Sequence, residues 1–115
     1  MTILYGIKNC DTVKKTRKWL DEQNITYTFH DFKTDGLSEE LLTAFVNESD
    51  WQVMLNKRST TYRNLSDEVK NNLTDEVIYK EVLAQPTLLK RPLLKTDGQL
   101  HVGFKLPHYQ EIFHK

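Results

Sequence analysis

The 115-residue sequence has one cysteine, no net charge and no long apolar run. Because Cys10 has no second cysteine with which to pair, an internal disulfide is excluded. Sixteen basic and sixteen acidic side chains cancel, which removes the bulk electrostatic attraction that nucleic acids and anionic membranes require. The apolar runs are only a few residues long, too short for a transmembrane helix. We therefore expect neither a nucleic-acid nor a membrane partner.

The composition that remains is typical of a folded globular domain. Hydrophobic residues make up 38% of the chain and charged residues 28%, and no repeat or linker-like stretch interrupts it. This length suits one core, so we predict a single domain over residues 1–115. The first residues lack the basic and apolar regions of a signal peptide, which, with the unpaired cysteine, predicts the reducing cytoplasm.

The hydrophobic pattern predicts an α/β fold in the order β-α-β-α, a helical insertion, and then β-β-α. A βαβ start implies parallel pairing, and the Asp97-Gly98 turn implies a closing antiparallel hairpin. We therefore predict a mixed four-stranded sheet with helices on both faces. The predicted strands are 2–5, 26–32, 93–95 and 100–104. Helices are predicted over 11–23, 66–73 and 74–84, with one more opened by Ser38 and a last one opened by Pro107. Residues 56–63 are predicted to form a polar, basic loop.

Cys10 lies where the first predicted strand gives way to the first helix. A helix N-terminus favours a thiolate over a thiol, and Lys8, Lys14 and Arg17 are close enough in sequence to add positive charge. A thiolate is the nucleophile of thiol–disulfide chemistry, so this position suits a redox or covalent role. The alternative is that Cys10 is a small buried apolar residue. Position 13 holds Val13, so the C-x-x-C motif of thioredoxins is absent.

Three segments together resemble the ArsC/Spx family, which includes the arsenate reductases, and most closely its YffB-like branch. They are Tyr-Gly-Ile-Lys-Asn-Cys-Asp-Thr at 5–12, Leu-Leu-Lys-Arg-Pro-Leu at 88–93 and Val-Gly-Phe at 102–104. The resemblance covers almost the whole chain and implies a thioredoxin-like fold with a helical insertion.

The resemblance also implies a site. Cys10 matches the attacking cysteine of arsenate reductases, and Arg91 and Pro92 match a late Arg-Pro pair whose proline is cis and presents backbone beside the sulfur. Arg58 matches an arginine of the middle loop by position. The third arginine of arsenate reductases falls near Gly103, which carries no charge and disfavours arsenate reduction.

Simpler roles are open for the same residues. Without the resemblance, Arg91 and Arg58 are ordinary surface charges. Asn9 and Thr12 are in the first place helix-cap residues, with orientation of the thiolate as a second role.

Two hypotheses follow. The first is a glutathione-dependent thiol reductase in which Cys10 forms a mixed disulfide that glutathione or a glutaredoxin resolves, acting on a disulfide or a small oxyanion. No tightly bound cofactor is expected, and no metal, because the four histidines lack ligand spacing. The second is a regulator that contacts RNA polymerase, as Spx does. Val13 in place of the second switch cysteine, and Asp50 in place of a glycine that Spx presents to polymerase, count against it.

Overall fold

The computed structural model describes residues 1–115 and divides the chain into two compact units. The first unit comprises Met1–Gly36 and Arg91–Lys115, and the second comprises Leu37–Lys90. The second unit is therefore an insertion in the sequence of the first, which agrees with the predicted helical insertion. The assignment of residues 1–115 to one domain stays a prediction.

The elements follow the predicted order. The strands are β1 Thr2–Gly6, β2 Thr28–Asp31, β3 Leu93–Thr96 and β4 Gln99–Val102. The helices are α1 Asp11–Glu22, α2 Glu39–Glu48, α3 Trp51–Met54, α4 Thr60–Arg63, α5 Asp67–Lys70, α6 Asp75–Ala84 and α7 Leu106–Phe113, and a 3₁₀ turn covers Pro86–Leu88. No helix combines the length and the apolarity needed to span a bilayer.

The first unit contains one mixed sheet in the order β2-β1-β3-β4. Strand β1 pairs in parallel with β2 and antiparallel with β3, and β3 pairs antiparallel with β4. Asp97 and Gly98 join β3 to β4 with φ values of 50° and 76°. A two-residue turn with both φ values positive matches the right-handed twist of a hairpin, so this prediction is confirmed. The mixed four-stranded sheet with flanking helices is confirmed as well, whereas the placement of helices on both of its faces stays a prediction.

One face of the sheet forms the core of the first unit. Leu4 on β1 lies opposite Leu94 on β3, so both side chains point to the same face. Leu20 of α1 and Tyr109 of α7 join them, and all four residues are fully buried. Both helices of this unit therefore pack on the face that carries Leu4 and Leu94.

The five α-helices of the second unit all begin with a side-chain cap. Each cap oxygen accepts the backbone N–H three residues further on, which satisfies a donor that has no partner within the helix. Ser38 opens the second helix as predicted, and Ser66 and Thr74 are the first residues of the helices predicted over 66–73 and 74–84. The cap residues are Ser38, Asp50, Ser59, Ser66 and Thr74.

Several boundaries differ from the prediction for local reasons. Strand β4 covers Gln99–Val102 rather than 100–104, because Gly103 has a φ of 83° and turns the chain out of the strand. Residues 56–63 are not wholly a loop, because Ser59 caps the helical turn α4. The helix predicted over 66–73 ends at Lys70, where the Asn72 N–H bonds the Val69 carbonyl and tightens the last turn.

The strand predicted over 26–32 covers only Thr28–Asp31, and its alternation is incomplete because Asp31 at its end is buried. The Asp31 carboxylate instead accepts the backbone N–H of Lys33 and fixes the turn that follows β2.

Gly6 at the end of β1 allows α1 to approach closely. A Cβ at this position would lie 2.7 Å from Val13 Cγ2, and Val13 is fully buried. A β-branched side chain has little rotamer freedom with which to move away. We therefore expect Gly6→Ala to lower the free energy of unfolding by about 1–3 kcal/mol in urea titrations.

The double variant Gly6→Ala/Val13→Ala is the control, because it removes the atoms that clash. Its cost should be lower than the sum of the two single costs by roughly 0.5–3 kcal/mol. A Gly6→Ala chain as stable as the parent would contradict the close approach.

Candidate active site

The first unit brings the two sequence segments of the predicted site to the same end of the sheet. Tyr5 of β1 lies opposite Leu93 of β3, and the two strands run antiparallel. The residues that follow Gly6 and the residues that precede Leu93 therefore leave the sheet at the same end. The Cys10 turn and the Arg91–Pro92 pair share this end, as the resemblance implies.

Cys10 is the N-cap residue of α1, with extended backbone at φ −109° and ψ 124°. Its carbonyl accepts the Lys14 N–H at 2.9 Å, and its own N–H donates to the Ile7 carbonyl at 3.3 Å. The side chain makes no capping hydrogen bond, and Cys10 is partly exposed. The thiol therefore lies at a helix N-terminus, reachable from solvent and not engaged in closing the helix.

The predicted capping role of the neighbouring polar residues is wrong. Helix α1 begins after Cys10, so Asn9 lies in the preceding turn and Thr12 in the first helical turn. Both are exposed, and the Thr12 carbonyl accepts a bond from the buried Thr16 hydroxyl at 2.7 Å. A role for Asn9 or Thr12 in orienting the thiolate stays a prediction.

Arg17 has a different partner from the one that its sequence position suggests. Its Nε donates to the Tyr27 hydroxyl at 3.2 Å, and its guanidinium carbon lies 4.2 Å from the centre of the Phe29 ring. Arg17 thus links α1 to Tyr27, which precedes β2, and to Phe29 within β2. The position of the guanidinium over the Phe29 ring is typical of a cation–π contact. Lys8 and Lys14 remain exposed beside the Cys10 turn.

The Arg91–Pro92 peptide bond is cis, as the resemblance implies. Pro92 is buried, and its carbonyl accepts the Gly103 N–H at 2.8 Å. The Gly103 carbonyl in turn accepts the Tyr109 hydroxyl at 3.3 Å. Arg91 is half-buried. That its guanidinium acts on Cys10 or on a bound anion stays a prediction.

Sequence reasoning missed the Tyr109 contact. Tyr109 is fully buried, and burial raises the pKa of its hydroxyl far above the ordinary value. A buried tyrosine hydroxyl usually has a hydrogen-bond partner, so a tyrosine on the apolar face of a helix predicts that its hydroxyl bonds some acceptor in the core. The sequence cannot say which carbonyl supplies it.

Gly103 occupies the place near which the third arginine of arsenate reductases is expected. Its φ is 83°, in the left-handed region that residues with a Cβ rarely adopt. An arginine at this position would have a strained backbone, whereas a glycine adopts this φ without strain. The glycine also leaves this position without the positive charge of an arginine.

Arg58 belongs to the second unit, where it lines an open cleft of about 650 Å³. Its N–H donates to Asn56 Oδ1 at 3.1 Å, and its carbonyl accepts Arg63 Nη2 at 2.8 Å. The cleft is lined by Gln52, Leu55, Asn56, Lys57, Arg58 and Lys90. Three cations and no carboxylate therefore line this cleft.

The pairing of residues 54–56 with 88–90 explains why Lys90 joins the loop cations. Leu55 and Leu89 form an antiparallel bridge, and Lys90 N–H donates to the Met54 carbonyl at 2.7 Å. Sequence reasoning found Arg58 alone, because the two segments are far apart in the chain. A role of Arg58 in the same site as Cys10 stays a prediction.

Comparisons with known proteins agree with the resemblance. The model of the ArsC family matches residues 5–112. A solved structure named YffB (PA3664) protein is 43% identical, with a TM-score of 0.91 over 96% of this chain and 97% of the other. An arsenate reductase (ArsC) related protein from Brucella melitensis is 45% identical, with a TM-score of 0.80 over 99% and 95% of the two chains.

Among curated proteins, an uncharacterized protein of Haemophilus influenzae is 49% identical over 98% of this chain and 99% of its own. A global transcriptional regulator, Spx 2 of Bacillus anthracis, is 26% identical over 90% of this chain and 80% of its own. The match of the family model to residues 5–112 and the high identity to the YffB structure lead to one conclusion. The chain belongs to the ArsC family.

Proposed function

We propose that the protein is a glutathione-dependent thiol reductase in which Cys10 is the nucleophile. The observation that carries the proposal is the state of this side chain. Cys10 is the chain's only thiol, it is partly exposed, and it lies at the N-terminus of α1 without a capping bond. Reactive cysteines are characteristically found in partly exposed positions at helix N-termini, and Cys10 occupies such a position.

The reaction needs two exchange steps because no second cysteine is present. In the first step the Cys10 thiolate attacks one sulfur of a disulfide substrate; a Cys10–sulfur bond forms, the substrate disulfide breaks, and a thiolate leaves. Where the retained half is glutathione, a second glutathione thiolate attacks its sulfur. This step releases oxidised glutathione and restores the Cys10 thiolate, so the net reaction converts one glutathione mixed disulfide and one reduced glutathione into a free thiol and oxidised glutathione. A glutaredoxin thiol serves equally in the second step.

Arg91 and Pro92 are the proposed binding elements of this site. A guanidinium presents a planar fork of donors that suits a carboxylate, and glutathione carries two carboxylates. The Pro92 backbone lies at the same end of the sheet as the Cys10 turn, where it suits the cysteinyl part of glutathione. Arg58 is proposed as a second carboxylate partner.

Arsenate reduction is the second candidate within the same chemistry. The arsenate reductase (ArsC) related protein from Brucella melitensis supports it by similarity. Gly103, with its positive φ and no charge, counts against it, since a developing oxyanion would have one cation fewer.

A regulatory role like that of Spx has less support. The sequence identity to Spx 2 is 26%. The position of the second cysteine of the C-x-x-C switch holds Val13, which is fully buried against Gly6. Asp50, at the position of the glycine in Spx, caps α3 by accepting the Val53 N–H.

The first prediction from this proposal concerns a covalent adduct. Incubated with oxidised glutathione, the parent chain should gain a single glutathione by intact mass, because it has one thiol. Cys10→Ser should gain none. With reduced glutathione, the parent should also reduce a small mixed disulfide over many turnovers. An adduct that forms without turnover would rule out an enzyme and leave a thiol-modified binding protein.

The second prediction separates Arg91 as a site residue from Arg91 as a surface charge. A charge-assisted hydrogen bond contributes about 1.5–3 kcal/mol, so Arg91→Ala should weaken glutathione binding by roughly tenfold or more in isothermal titration. Arg91→Lys should restore binding only in part, because an ammonium cannot reproduce the fork.

Lys80→Ala is the matched control, since Lys80 is exposed and forms only a surface ion pair with Glu76. It should bind glutathione as the parent does at constant ionic strength. Equal affinity of Arg91→Ala and the parent would remove Arg91 from the site.

A further inference from the structure

His101 and His108 meet in the first unit although seven residues separate them in the chain. His101 Nδ1 lies 3.1 Å from His108 Nε2, and the ring centres are 5.0 Å apart at an interplanar angle of 64°. His101 is half-buried on β4, and His108 is exposed on α7. This spacing fits none of the short histidine motifs, so the sequence pattern alone did not indicate the pair.

Both backbones are anchored by neighbouring residues. His101 lies opposite Leu94 in the β3–β4 hairpin, and Leu94 is fully buried. His108 precedes Tyr109, which is fully buried and whose hydroxyl is bonded to the Gly103 carbonyl. The two imidazoles are therefore brought together before any ligand binds, which lowers the entropic cost of a site that uses both.

The separation of the two nitrogens fits a shared metal ion. Two imidazole nitrogens, each about 2.0–2.1 Å from one ion, lie about 2.9 Å apart at a right angle and about 3.3 Å apart at the tetrahedral angle. The observed 3.1 Å falls between these values. Neutral imidazole is a preferred ligand of divalent zinc, copper and nickel.

The hydrogen bond between the two rings is compatible with this role. In the metal-free pair one ring donates its N–H to the other. Ligation by both nitrogens needs that proton to move to the remote nitrogen of its own ring, so two neutral rings lose no net proton.

We propose that His101 and His108 together bind one divalent ion of the zinc, copper and nickel class and thereby link β4 to α7. No group of three His, Cys, Asp or Glu side chains is arranged so that it could hold a metal ion, so water would complete the coordination shell of an ion bound by this pair. The proposal does not depend on the chemistry of Cys10.

The test uses the full chain carrying Cys10→Ser, so that no thiol competes for the metal. After treatment with a chelator and its removal by dialysis, the chain is titrated with zinc chloride in a calorimeter. We expect one Zn²⁺ per chain and a rise in Tm with added Zn²⁺. His108→Gln and His101→Gln, in the same background, should each weaken binding at least tenfold.

His114→Gln is the matched control, since His114 is exposed and forms no contact with the pair; it should bind Zn²⁺ as the parent does. Because His108 is exposed, His108→Gln should fold even where His101→Gln does not. Electron paramagnetic resonance of bound Cu²⁺ should show two coupled nitrogens in the parent and one in His108→Gln. Equal Zn²⁺ affinity of His108→Gln and the parent, or no Zn²⁺ binding at millimolar metal, would overturn the proposal.

Discussion

The pairing of β1 with β3 is the constraint on which the rest of the first unit depends. It sets Leu4 opposite Leu94, and these two residues support Leu20 of α1 and Tyr109 of α7. The same register carries the end of β1 and the start of β3 to one end of the sheet. The position of the Cys10 turn at the same end of the sheet as Pro92 is thus a result of how an apolar core is aligned. A register shift by one residue would turn Leu4 away from that core.

The parts of the fold that sequence reasoning predicted are those encoded by local chemistry. Asp97-Gly98 supplies two residues that tolerate positive φ, so the turn is recognisable without any knowledge of the strands around it. Ser38 and Thr74 each precede acidic residues and an apolar run, which is the pattern of a capped helix. The three segments at 5–12, 88–93 and 102–104 carried the resemblance to the family, and with it the expected thioredoxin-like fold with a helical insertion.

The parts that could not be predicted depend on contacts between distant residues. Arg17 was counted among the charges near the thiol, yet its guanidinium lies over Phe29, which comes twelve residues later in the chain. Lys90 joins Arg58 at a cleft only because Leu89 pairs with Leu55. The His101–His108 contact likewise needs β4 and α7 to be placed first. No pattern of period two or 3.6 contains this information.

The insertion of the second unit has a consequence for the order in which a ribosome releases the chain. Cys10 emerges early, whereas Arg91, Pro92 and the strands β3 and β4 emerge only after the whole of Leu37–Lys90. During that interval β1 has only β2 as a sheet partner, and the thiol lacks the segment that shares its end of the sheet. All five capped helices of the second unit are synthesised within this interval, before β3 and β4. The end of the sheet that carries Cys10 and the Arg91–Pro92 pair is therefore completed only after the second unit has been synthesised.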